Sequence, residues 1–208
     1  MSSTIPMLVR SIFFYVAMFI MAAFISCQSE AKKMEQISPA PGTPIPFDSI
    51  EKDRIDTLVK HINDRLPLAG LPKKLAYPKY TVEDTIYYWQ VDSNSARISI
   101  EFNAPEEIIW PTFFVDQGKL VFVRFRYHSS AFPQPFAMES YIYLKDGKIV
   151  HCVERSMKMD ASQRPGTLKQ FKHVKTTRTY EEVEKDYKEI WDTTVEYMKE
   201  HHQFPFKN

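Results

Sequence analysis

Between Asp84 and Lys158 the sequence runs as short segments rich in Ile, Val, Tyr, Phe and Trp, separated by turn residues. This pattern constrains the fold more than anything else in the chain. β-Branched and aromatic side chains fit a pleated, half-buried surface. Connections this short join antiparallel strands, because a parallel crossover needs roughly a dozen residues or more. Six strands are predicted, at 85–92, 96–103, 108–115, 119–128, 136–145 and 148–156. In the second, Ile98, Ile100 and Phe102 alternate with Arg97, Ser99 and Glu101, the pattern of a sheet with one wet face.

Two of the predicted hairpins read as copies 29 residues apart: Phe114-Val115-Asp116-Gln117-Gly118-Lys119-Leu120 and Tyr143-Leu144-Lys145-Asp146-Gly147-Lys148-Ile149. The shared glycine suits a three-residue loop ending in a left-handed residue, where a side chain would clash at positive φ. The unit resembles hairpin repeats of the MORN kind, and shared turn chemistry is enough to account for the likeness.

Helices are expected at both ends of the strand region. Asp48 followed by Glu51 has capping-box spacing, and Ile55, Leu58, Val59, Ile62 and Leu66 recur at helical intervals until Pro67 and Gly70 end the pattern. A second helix starts from a Thr179-x-x-Glu182 box and runs to about His202, with Tyr180, Val183, Tyr187, Ile190, Trp191 and Met198 on one face. Layer packing then gives an α+β domain over 48–208: an antiparallel meander of about six strands, with an N-terminal and a C-terminal amphipathic helix packed on it, one or both covering one face.

Ahead of the domain, Arg10 precedes an apolar run from Ile12 to Ile25 that ends in Ser26-Cys27. A charged start and an apolar centre of roughly 7 to 15 residues are the order of a signal peptide; a spanning helix needs about 18 or more. Phe24-Ile25-Ser26-Cys27 resembles the lipobox of bacterial lipoproteins, in the relaxed form of Bacteroidota lipoproteins. That resemblance implies diacylglyceryl transfer to Cys27, removal of residues 1–26, acylation of the new amine, and a cell-envelope location at the outer membrane. Met7 is an alternative start. Residues 27–47 are then the lipidated cysteine and a proline-rich tether, extended at about 3.1 Å per residue.

Without residues 1–26 the chain has 26 basic and 26 acidic residues, so no global field draws it to nucleic acid. Five scattered glycines form no phosphate loop or dinucleotide fingerprint, and no Gly-x-Ser-x-Gly, His-Glu-x-x-His or paired Cys-x-x-Cys occurs. No cofactor, metal site or catalytic residue is assigned. His201 and His202 read as a solvated helix end. Cys152 reads as a buried thiol, pointing away from His151 across the strand.

Charge is unevenly spread. Lys158, Arg164, Lys169, Lys172, Lys175 and Arg178 face only Asp160 between Met157 and Thr179, and the following helix has eight acids against three lysines. The basic segment either lies along that helix or, with Arg124 and Arg126, meets an anionic partner: a lipid headgroup, a glycan or an envelope protein. The loop from Ser129 to Pro135 is the expected exposed apolar tip. Two functional classes follow. One is a non-enzymatic envelope module that binds through its sheet face or hairpin loops. The other is a small-ligand carrier or enzyme with a site drawn from dispersed residues such as Glu101, Glu139, His128 and Arg126. Arg126, Glu139 and His128 converging in one cleft marks the second class.

Overall fold

In the third, fourth and fifth of the predicted strands, consecutive residues are buried on both sides: Phe113, Phe114 and Val115 are each 3 % exposed or less. Successive strand residues point to opposite faces, so this part of the sheet has two apolar faces and needs two covers. A computed structural model of the chain describes residues 42–79, 81, 83–103, 107–130, 135–158 and 165–206. All belong to the compact unit Pro39–Asn208. The leader, Cys27 and most of the tether lie outside the described residues, as do Arg164 and residues 131–134 of the expected apolar tip.

The elements run α1 (Ser49–Ala69), β1 (Lys73–Ala76), β2 (Thr85–Gln90), β3 (Ser95–Asn103), β4 (Glu107–Asp116), β5 (Lys119–Ser129), β6 (Phe136–Lys145), β7 (Lys148–Lys158), a 3-10 turn (Pro165–Gln170), β8 (Val174–Lys175) and α2 (Tyr180–Glu200). One eight-stranded antiparallel sheet pairs them in chain order. Its two outer strands were not expected: β1 lies between Pro72 and Pro78 with no apolar alternation, and β8 is two residues inside a basic run.

The helices lie on opposite faces, which corrects the expectation of one covered face. Val183, Tyr187 and Met198 of α2 pack on Ile98, Phe102 and Phe113. Ile55 and Ile62 of α1 pack on Phe114, Phe122 and Tyr143, and the Tyr143 hydroxyl donates to Asp56 at 2.9 Å.

Helix α2 has the full reciprocal capping box of Thr179 and Glu182. At α1, Asp48 accepts from the Glu51 amide at 2.9 Å, but the Glu51 side chain does not reach back. It takes Arg54 at 2.8 Å and Lys145 at 3.5 Å instead. The helix continues past Pro67 to Ala69; in the last turn a missing amide costs only one bond of a fraying end.

The twin hairpins use tighter turns than expected. Gln117 and Gly118 have φ of 50° and 76°, and Asp146 and Gly147 have 49° and 76°. Positive φ at both central residues makes each a two-residue type I′ turn. Each is followed by the same bulge, where Val121 and Val150 are the extra residues. The chain before α1 is also docked: Tyr180 donates its amide to Thr43 O at 3.0 Å, Asp48 to Val150 O at 3.3 Å, and Ile45 is buried. This covers the stretch of β7 that β8 leaves unpaired, a protected edge.

Candidate functional site

The face that carries α1 is only partly covered. At the turn end α1 lies over Phe114, Phe122 and Tyr143. At the other end Leu168 of the 3-10 turn closes on Ala137 and Met157. Between them the register aligns Ser99, Thr112, Arg124, Tyr141 and Val153 across five strands, and next to that row Trp110, Arg126, Glu139 and Arg155. These rows floor an open trough. Where it meets the 3-10 turn it deepens to a cleft of about 150 Å3, lined by Trp110, Arg124, Arg126, His128, Glu139, Arg155, Leu168 and Lys169.

Glu139 is the centre of this arrangement and is 1 % exposed. An isolated carboxylate there would be strongly unfavourable, and the neighbouring strands supply its partners. Oε1 accepts from Arg124 Nε at 2.6 Å and from Arg126 Nε at 2.9 Å. Oε2 accepts from Arg155 Nε at 2.7 Å and also from Arg155 Nη2. Burial alone would raise the carboxyl pKa. The three guanidiniums, Arg124 foremost, override that and hold it at about 2.

One carboxylate thus organises three cations. Among the described residues, neither Nη of Arg126 has a protein acceptor, and the Arg126 side chain is 40 % exposed. Further along the face Arg97 sits 5.1 Å from the Trp89 ring and 5.9 Å from Phe114. Its Nε is buried with no partner among the described residues. Burial, then repulsion by Arg124 and Arg126, lowers its pKa. Glu101 shares this face but does not line the cleft.

His173 stacks on Tyr141, with ring centroids 4.1 Å apart, and its Nε2 is 3.4 Å from Glu139. That separation would suit an ion pair, yet burial and then Arg155 lower the imidazole pKa from 6.5 despite the carboxylate. At neutral pH the ring is therefore uncharged, and its Nε2 has no hydrogen-bond partner among the described residues.

The structure brings Arg124, Arg126, His128, Glu139 and Lys169 to one cleft, whereas Lys172 and Lys175 are exposed and do not line it. Arg178 is turned away, on the α2 side of the sheet. It donates to Glu154 at 2.9 Å and to Asp186 at 2.7 Å, so among the described residues of the basic segment it is Arg178 that compensates the acidic helix. Cys152 is buried against α2, where burial pushes its thiol pKa up, while His151 lies on the other face beside Phe47. His201 and His202 are exposed at the end of α2.

Arg155 and His173 were missed. The signal for Arg155 was a charged residue in phase with the buried positions of a strand. His173 had none, since a loop places it. No protein-family model, curated protein or solved structure matches this chain.

Proposed function

We infer that this chain is a lipid-anchored envelope protein, non-enzymatic, whose domain binds an anionic group in the arginine cleft between β4 and β7. The observation that carries this reading is the geometry at Glu139: one buried carboxylate holding three guanidiniums in fixed positions, with donors of Arg126 left over. Guanidinium forks match carboxylate and phosphate oxygens, and fixing them beforehand removes part of the ordering cost of binding. Convergence of Arg126, Glu139 and His128 in one cleft is the mark of the small-ligand class rather than of a module recognised through its sheet face or hairpin loops, and the reading moves to that class accordingly.

Two features argue against catalysis. A carboxylate held at about 2 and engaged on both oxygens is a poor general base. The thiol of Cys152 lies on the opposite side of the sheet with its pKa raised, so it is neither near the cleft nor nucleophilic. The anchored location is supported by the leader and by Cys27 in its lipobox-like setting.

Titration with inorganic phosphate, followed by amide and Arg Nε chemical shifts, tests the binding reading. Resonances of β5 to β7 should move saturably. Arg126→Gln should weaken binding about tenfold, the value of one hydrogen bond to a charged group. Saturable shifts confined to other elements, or unchanged affinity in Arg126→Gln, would refute it.

A further inference from the structure

We propose that the arginine cleft and the lysine-bearing strip beside it dock the domain onto an anionic lipid surface, with the cleft taking the phosphate of a lipid headgroup. This rests on the anion-binding reading above and names the ligand class of that site.

The strip is part of the site. Lys169 stands on the cleft rim. Two residues on, the Phe171 carbonyl accepts from Arg155 Nη1 at 3.3 Å, and the His173 ring stacks on Tyr141 of the trough floor with centroids 4.1 Å apart. Lys175 is opposite Val153 in the β7–β8 pair, which places it on the trough face. The chain from 169 to 175 is therefore joined to the cluster that forms the cleft, with Lys169 lining it and Lys172 and Lys175 exposed along the same short segment.

Those side chains suit a membrane better than a small solute. Lys169, Lys172 and Lys175 are all exposed, and Phe171 among them is 46 % exposed. An aromatic ring set among flexible ammonium groups matches the headgroup boundary, where the ring enters the acyl edge and the lysines meet phosphates. A free phosphate would use the guanidiniums and leave this fringe without a role.

Charge across the molecule agrees. Helix α1, on the trough face, has four acids and four bases, whereas α2 on the opposite face has eight acids and three lysines. The domain is thus polarised, with its acidic helix directed away from the surface that the trough would meet, and like-charge repulsion disfavours the reversed pose. Under the anchoring proposed for Cys27, the 16 residues from there to docked Thr43 span up to roughly 50 Å at about 3.1 Å each. Such a tether holds the site at high effective concentration beside the bilayer, so weak headgroup affinity is enough.

Hydrogen–deuterium exchange on the full chain, held by its own anchor in vesicles, tests this. Phosphatidylcholine vesicles are compared with a mixture containing phosphatidylglycerol, and soluble glycerol phosphate is added to the neutral vesicles as a third arm. Amides of 168–175 should exchange about fivefold more slowly on the anionic vesicles, the effect expected for about one lysine's attraction to such a surface. The combined variant Lys169→Gln, Lys172→Gln and Lys175→Gln, all surface substitutions, should abolish the difference. Equal exchange on both vesicle types overturns membrane docking, as does slowing that persists in the triple variant. If glycerol phosphate on neutral vesicles slows exchange as much as anionic lipid, the cleft is a soluble-anion site and only the lipid inference falls. If neither slows it, the anion-binding reading falls too.

Discussion

Glu139 shows how much one side chain can decide. It is as buried as the apolar core, yet it is a charge whose partners are themselves half-open to solvent: Arg124 and Arg126 are 30 % and 40 % exposed, Arg155 11 %. Removing one member of a buried ion pair costs about 3 to 5 kcal/mol. Solvent reaching two of the three arginines reduces that, so Glu139→Gln should destabilise by about 2 to 3 kcal/mol. The pH dependence has a definite sign. The folded carboxyl is held at about 2 against an ordinary value of 4.5, so its contribution is complete above about pH 4.5 and is lost as pH falls towards 2. At about 1.4 kcal/mol per pH unit the contribution is on the order of 3 kcal/mol. Denaturant melts from pH 6 to about 3 should show the wild type losing more stability than Glu139→Gln; parallel curves would mean the carboxylate is not held as described.

At the scale of elements, the twin hairpins set the site. In an unbulged β6–β7 hairpin, with Lys145 opposite Lys148, Glu139 would face Glu154. The extra residue at Val150 shifts the register by one and brings Arg155 there instead. The bulge at Val121 likewise aligns Trp110 with Arg126 rather than with Phe125. Turn chemistry therefore reaches the cleft some eight residues away. Each hairpin needs two left-handed residues, and L side chains cost about 1 to 2 kcal/mol there. Gly147→Ala, at φ 76°, should lower stability by about 1 kcal/mol. Gln117→Asn, a residue better suited to its φ of 50°, should raise it by a few tenths of a kcal/mol. Thermal unfolding of the two variants tests the pair, and the same sign for both would argue against type I′ turns.

The hairpin glycines, the strand pattern and both helix caps were legible in the chain. The bulges were not, because an added valine leaves the apolar alternation of its strand readable in either phase. The α1 end was legible only to within a turn, since Pro67 is tolerated where α1 frays. Strand β8 could not be read at all: two residues have no periodicity, and their pairing depends on β7 being already in place.

For the whole molecule, the anchor proposed at Cys27 makes one prediction. If Cys27 bears lipid, Cys27→Ser should leave the precursor unprocessed and shift the protein out of the detergent-soluble, acyl-labelled pool; metabolic labelling with a fatty acid and immunoblotting for size would read both. Unchanged processing and labelling would refute the anchor. The domain's own polarity, with a balanced helix on one face and an acidic helix on the other, follows from which face each helix covers.

The sequence by itself determined the class of fold, the antiparallel pairing, the two helix starts and the lipobox-like setting of Cys27, because local propensity, turn residues and periodicity act over a few residues. Only the tertiary structure decided that the helices take opposite faces and that Arg124, Arg126 and Arg155 surround one glutamate. Those facts depend on cross-strand register, which one bulged residue can shift, and on which face each apolar stripe finds vacant.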